Sequence, residues 1–121
     1  MADIYIGTDL VDIDRIKISI EKYQIKFLDR VFSVEEQEYC QSKSNPAIHY
    51  AGRFAAKEAV IKSIKSSGFD HPIDLRSIRI INNADGSPHV DLDIKYNVLV
   101  KVSISHTETH AISFALSELN H

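Results

Sequence analysis

The stretch from about Ala47 to Ser66 constrains this chain most. It follows a Lys43-Ser-Asn-Pro46 turn, is rich in Ala, Lys and Glu, and meets a natural stop at Gly68. It reads as one long helix in a chain of 121 residues, the size of a single domain with a modest core. Strands surround it in sequence. Residues 4–11 alternate as a strand, with Ile4, Ile6, Thr8 and Leu10 on one side and Tyr5, Gly7, Asp9 and Val11 on the other. From Asp12, an N-cap, the period becomes helical, with Ile13, Ile16, Ile20 and Tyr23 turned to the core. Ser33-Val34-Glu35-Glu36 is a capping box that opens a short helix to about Ser42.

After the long helix the pattern is strand throughout. Leu75–Ile81 alternates, Asp85-Gly86 marks a turn within residues 82–87, and Val90, Leu92 and Ile94 alternate after it. Val98, Val100, Val102 and Ile104 share a face, and Ile112, Phe114 and Leu116 alternate beyond a turn at residues 106–110, so the last two strands read as a hairpin. No repeat or linker interrupts residues 1–121. The order of strand, helices and strands predicts a single α+β domain in which an antiparallel sheet packs against one long and several short helices.

Composition removes several function classes. The single cysteine, Cys40, allows no internal disulfide and no multi-cysteine zinc site, and it reads as a small buried hydrophobe. None of the six histidines has an HExxH spacing; His49, His71, His89, His110 and His121 read as surface residues. A formal charge of −3, from 14 basic and 17 acidic residues, argues against a general nucleic-acid binder. Met1-Ala2-Asp3-Ile4 is not the start of a signal peptide, and no apolar run is long enough to span a bilayer. The expectation is a soluble cytoplasmic domain.

Some residues invite a chemical reading. On a helical wheel Glu58 falls among Ala51, Phe54, Ala55 and Ala59, where a carboxylate is costly unless paired or bound to a metal. Lys62 stands one turn on, and the pair by itself reads first as a surface salt bridge. Asp9, near a strand end, reads as a turn residue or a ligand. Together Asp9 and Glu58 supply two oxygens suited to Mg²⁺, which often takes one or two carboxylates and completes its shell with phosphate and water. Arg53, Lys57 and Lys62 nearby suit a phosphorylated ligand. Ser103-Ile-Ser-His106-Thr107 reads as either a hairpin edge or part of a site. It is not a Ser/His nucleophilic pair, since neighbours on a strand face opposite ways and no G-x-S-x-G elbow is present. The Gly86-Ser-Pro88 turn offers bare backbone to a flat base. Arg15, Lys22 and Lys26 form one basic stripe if the first helix runs past Gln24.

Five motifs then occur in a familiar order: Gly7-Thr-Asp9-Leu-Val11, Arg30-Val-Phe-Ser-Val-Glu-Glu-Gln-Glu-Tyr-Cys40, Ala51-Gly-Arg-Phe-Ala-Ala-Lys-Glu-Ala59, Gly86-Ser-Pro88 and Ser103-Ile-Ser-His-Thr107. From Ile4 to Glu118 the chain resembles the holo-[acyl-carrier-protein] synthases, small 4′-phosphopantetheinyl transferases. The resemblance implies transfer of the phosphopantetheine arm of coenzyme A to a serine of an apo acyl-carrier protein, with release of adenosine 3′,5′-bisphosphate, in fatty acid biosynthesis. It implies Mg²⁺ on Asp9 and Glu58, catalysis by these with Lys62, and coenzyme contacts from Arg53, Lys62, Gly86, Pro88, His106 and Thr107. It further implies a homotrimer with active sites between subunits, and an acidic carrier protein docked on Arg15, Lys22 and Lys26. The general base stays open between a metal-bound water and a carboxylate such as Glu36. Ser66-Ser-Gly68 departs from the family's Gly-Thr-Gly-like stretch, and residues 92–103 are short, with little room for the helix that many relatives carry. The competing readings are a non-catalytic coenzyme A or carrier-protein binding module, against which Asp9, Glu58 and Lys62 count, and a nucleic-acid binder using the basic stripe.

Overall fold

A computed structural model describes residues 2–120, and the side chains of residues 2–119. His121, read above as a surface residue, lies outside the described residues. The element order is β1 (Ala2–Asp12), α1 (Ile13–Tyr23), α2 (Ile25–Val31), α3 (Val34–Gln41), α4 (Pro46–Ser66), β2 (Ile78–Asn82), β3 (Pro88–Leu92), β4 (Val98–His106) and β5 (His110–Asn120). The predicted α+β class holds, with the antiparallel pairing divided between two sheets. One has the order β1-β5-β4 and the other is the β2–β3 hairpin.

The long helix α4 is buried on nearly every side because its residues are small where neighbours come close. One core cluster joins Tyr50, Ala51 and Ala55 to Ile13, Ile16, Leu28, Val31 and Phe32 of the shorter helices and their connections. A second joins Ala56, Ala59, Val60 and Ile64 to Ile78 and Ile80 of β2, Val100 of β4 and Ala115 of β5. The strand β5 turns its small residues Ala111, Ser113, Ala115 and Ser117 inwards, and they are fully buried. Ser117 shares a 2.6 Å hydrogen bond with Ser63 of α4.

The opposite face of the three-stranded sheet is apolar and bare. Ile4, Ile6 and Leu10 of β1 are 57–65% exposed, and Leu99, Ile112 and Phe114 are also exposed. The register sets Ile6 beside Leu116, Thr8 beside Phe114 and Leu10 beside Ile112. Lone exposed apolar residues need no explanation, but a contiguous apolar face marks a surface that meets another surface.

Several local expectations hold. Asp12 caps α1 by accepting from the Asp14 N–H at 2.9 Å. Ser33 and Glu36 form the capping box of α3. The last two strands pair as a hairpin. Others are corrected. The first helix does not continue past Gln24, whose backbone turns to φ 51°, ψ −129°, so Lys26 belongs to α2. Tyr23 is exposed rather than turned to the core. Leu75–Ser77 is a 3₁₀ turn capped by the Asp74 carboxylate, which delays the β2 strand to Ile78. Residues 93–97 form a bend without a helix, as their shortness suggested.

Candidate active site

Asp9 and Glu58 meet through the packing of β1 on α4. Gly7 makes this possible. A Cβ there would stand 2.7 Å from the Ser63 nitrogen, 2.9 Å from Lys62 Cβ and closer still to the Ala59 carbonyl oxygen. The strand therefore rests directly on the helix backbone, and Asp9, two residues on, projects over the same flank. Asp9 is 18% exposed and pairs with Lys62 Nζ at 3.1 Å. Lys62 also donates to the Thr8 carbonyl at 2.9 Å. The i,i+4 pair expected between Glu58 and Lys62 is thus replaced by a bridge from Lys62 to the strand.

Asp9 and Glu58 line one cavity of about 330 Å³ with Arg15, Ser19, Phe27 and Phe54. Partial burial pushes the Glu58 carboxyl above its ordinary value, the Asp9 carboxylate pushes it further, and Lys62 opposes the rise. Two carboxylates that repel each other across a half-buried cavity are a poor arrangement for a protein alone and a good one for a divalent cation. Among the described residues no group of three or more His, Cys, Asp or Glu could form an all-protein cage. Mg²⁺ takes few carboxylates and shares its shell with phosphate and water, so Asp9 and Glu58 are the residues that would hold it.

Arg53 leaves α4 on a different side. Nine residues separate it from Lys62, which at 3.6 residues per turn is about 180° of rotation and roughly 13 Å along the axis. It is almost fully buried, donates from Nη2 to Asn82 Oδ1 at 2.6 Å, and lies over the Tyr39 ring at 4.0 Å. Asn82 in turn donates to the Gly86 carbonyl, so Arg53 and the Gly86–Pro88 turn are joined through one amide. Gly86 has φ 88°, which favours glycine at that turn. His106 and Thr107 are exposed where β4 turns into β5. Within one chain, then, Asp9, Glu58 and Lys62 form one group on the β1 side, whereas Arg53, Gly86, His106 and Thr107 belong to the β2 and β4 side.

Two sequence expectations fail for one reason. Glu36 and Lys57 are both buried and pair with each other at 2.7 Å. Lys57 also donates to the Val31 and Leu75 carbonyls, and Glu36 accepts from the Ser33 and Ile80 N–H groups. Glu36 is therefore no general base, and Lys57 does not reach a phosphate. His49, expected on the surface, is half-buried edge-on against Tyr39.

The basic stripe survives the break at Gln24 in altered form. Arg15 and Lys22 border one depression with Ser19 and Tyr23, and Lys26 and Arg30 border the next, again with Ser19 and Tyr23. Arg30 was not part of the expected set. Its signal was the change of helix axis at Gln24, which periodicity across residues 12–26 does not reveal.

The fold is a small α+β domain with two carboxylates on one cavity, and comparison with known proteins gives its class. Residues 5–115 match the family model of the 4′-phosphopantetheinyl transferase superfamily. The chain is 42% identical over 116 residues to the holo-[acyl-carrier-protein] synthase of Protochlamydia amoebophila, covering 92% of this chain and 94% of that one. Its fold is similar to that of the ACPS–CoA complex of Chronobacterium ammoniagenes, with a TM-score of 0.86, 25% identity, and coverage of 98% and 99% of the two chains. It is likewise similar to the holo-[acyl-carrier-protein] synthase of Helicobacter pylori in complex with coenzyme A, with a TM-score of 0.80, 30% identity, and coverage of 91% and 96%. The chain belongs to the holo-[acyl-carrier-protein] synthase family and is a 4′-phosphopantetheinyl transferase.

Proposed function

We propose that this enzyme moves the 4′-phosphopantetheine arm from coenzyme A to a serine hydroxyl of apo acyl-carrier protein, in fatty acid biosynthesis in the cytoplasm. The meeting of Asp9 and Glu58 on one cavity, with Lys62 against Asp9, carries this reading. The serine oxygen forms a bond to the phosphorus that bears pantetheine and gives up its proton to solvent water, the bridging P–O bond of the pyrophosphate breaks, and adenosine 3′,5′-bisphosphate leaves with that electron pair. Asp9 and Glu58 would hold Mg²⁺, which would supply charge neutralisation for the pyrophosphate. Lys62 adds a fixed positive charge on the same flank, and Phe27 and Phe54 give the cavity apolar walls. Arg53, His106 and Thr107, with the Gly86–Pro88 turn, receive the nucleotide end of the coenzyme.

The two groups of residues lie on opposite flanks of α4, and β1 and β4 are opposite edges of their sheet. One coenzyme reaches both groups if the β1 flank of one subunit faces the β4 flank of the next. Such head-to-tail contacts close into rings, and a homotrimer also covers the bare apolar sheet face. An acidic carrier protein docks on Arg15, Lys22, Lys26 and Arg30, beside the cavity that Arg15, Ser19 and Phe27 share with Asp9 and Glu58.

The test mixes the protein, coenzyme A, Mg²⁺ and an apo carrier protein and reads the carrier mass. Mg²⁺-dependent addition of the arm is expected; no addition overturns the reading and favours a non-catalytic binding module. Light scattering gives the assembly: a monomer with full activity rejects the shared site. Charge reversal at Arg15 and Lys22 is expected to raise KM for carrier protein with little change for coenzyme A; the opposite pattern places the stripe in the nucleotide site.

A further inference from the structure

Lys62 already holds one of the two carboxylates that a divalent cation in the Asp9–Glu58 cavity needs. Its ammonium donates to Asp9 Oδ1 at 3.1 Å and to the Thr8 carbonyl at 2.9 Å. These two bonds leave a third N–H donor over. The stem is fixed where Gly7 sets β1 against Lys62 Cβ. The side chain beyond it is open, 54% exposed against 18% for Asp9. An ion pair this open to water is weak and exchanges readily. The Glu36–Lys57 pair, buried on both sides, has no such freedom. A cation bonded to Asp9 opposes a second cation there in two ways: it occupies a carboxylate oxygen, and it adds like charge to the cavity. A pyrophosphate reverses the balance, because its oxygens accept charge-assisted hydrogen bonds from the ammonium.

We propose that Lys62 is a tethered placeholder that makes divalent-cation binding conditional on the coenzyme: it holds Asp9 in the free enzyme and leaves it for the pyrophosphate when coenzyme A binds. The proposal rests on the reading of coenzyme A as co-substrate and of Asp9 and Glu58 as the residues for the cation. While Lys62 stays on Asp9, the free enzyme holds a divalent cation weakly. Once the pyrophosphate draws the ammonium away, Asp9 Oδ1 is released. Cation and coenzyme therefore each tighten the other, and by linkage the two factors are equal. Part of that factor is the direct attraction between the cation and the pyrophosphate, which needs no lysine. The part that belongs to Lys62 is the energy of holding Asp9 in the free enzyme, and removal of the ammonium abolishes that part alone. Lys62 thus has a role before the chemical step that differs from its charge during it: loss of the side chain improves cation binding to the free protein.

The probe is Mn²⁺, which suits the same carboxylate, carbonyl and water oxygens as Mg²⁺. Electron paramagnetic resonance counts the unbound ion as it is titrated into the intact protein, with and without coenzyme A. A titration of coenzyme A alone corrects for Mn²⁺ held by the free coenzyme. The proteins are wild type, Lys62→Met, Lys62→Arg and Arg15→Met. Without coenzyme A, Lys62→Met is expected to bind Mn²⁺ about tenfold tighter than wild type, within the range of ordinary couplings between sites. The factor by which coenzyme A tightens Mn²⁺ is expected to be smaller in Lys62→Met by that same tenfold. Lys62→Arg, which keeps the charge, is expected to follow wild type. Arg15→Met removes a charge from the wall of the same cavity and is expected to stay close to wild type. Unchanged or weaker Mn²⁺ binding by free Lys62→Met overturns the proposal. So does an equal gain in Arg15→Met, which makes the effect one of cavity charge and not of the bond to Asp9. Both of these results leave the co-substrate reading intact. No Mn²⁺ binding by any of the proteins, with or without coenzyme A, overturns the reading of Asp9 and Glu58, and no binding of coenzyme A by wild type overturns the co-substrate reading.

Discussion

Gly7 of the first strand rests on Ala59 of the long helix so closely that the Ala59 carbonyl oxygen occupies the space of any side chain at residue 7. The neighbours are backbone atoms of a central helix and cannot swing aside. Gly7→Ala therefore has to push β1 off α4, with Asp9 and its bridge to Lys62. The expected cost is about 3 kcal/mol or more, in the range of an overpacked core, read by urea denaturation. Where the variant still folds, Mg²⁺-dependent transfer is expected to fall with it.

Glu58 has a pKa raised by burial and by Asp9. The folded state thus binds a proton that the unfolded chain has already released, and stability falls as pH climbs from the ordinary glutamate value through the raised one. Glu58→Gln is expected to remove this fall and to be at least as stable as wild type at pH 7. Its transfer activity is expected to drop about a hundredfold or more, the scale of losing a transition-state charge stabiliser. Thermal melts from pH 4 to 8, beside turnover, check both halves.

The Glu36–Lys57 pair joins the end of α2, the start of α3, the 3₁₀ turn and β2 to the long helix. Lys57→Met leaves Glu36 charged and buried without its cation, and is expected to cost about 3–5 kcal/mol. Glu36→Leu with Lys57→Met is expected to recover only part of that loss. The Ile80 N–H and the Val31 and Leu75 carbonyls stay without partners, each worth about 1–3 kcal/mol when buried. Full recovery in denaturant titrations would mean that the pair itself, and not its backbone contacts, sets the cost.

Gln24 adopts φ 51°, ψ −129°, a backbone conformation that glycine adopts freely and that is strained for a residue with a side chain. Strain of this kind costs about 1–3 kcal/mol, of which the greater freedom of an unfolded glycine returns about 0.5–1 kcal/mol. Gln24→Gly is expected to stabilise the protein by roughly 1 kcal/mol, a rise of a few degrees in Tm. Gln24→Ala is expected to give no gain, and a scanning calorimeter separates the two.

The sequence by itself determined the elements and much of the chemistry. The alternation in β1, the Ser33–Glu36 capping box and the Ala-rich helix are local patterns, and local patterns survive in the folded chain because propensity and burial agree there. The transferase family was legible because five motifs stand in its order, and that resemblance, not the carboxylates by themselves, gave Asp9 and Glu58 their expected role. The partners of those residues were decided by the tertiary structure. Glu36 and Lys57, 21 positions apart, both read as solvent-facing chemistry until packing brought them together where water is excluded. Lys62 reaches across 53 positions to Asp9 instead of one turn back to Glu58. Gln24 breaks the first helix with a residue that carries no break signal. His49 acquires its cationic neighbours from three separate segments. Charge pairing and burial depend on distances through space, which spacing along a chain does not contain.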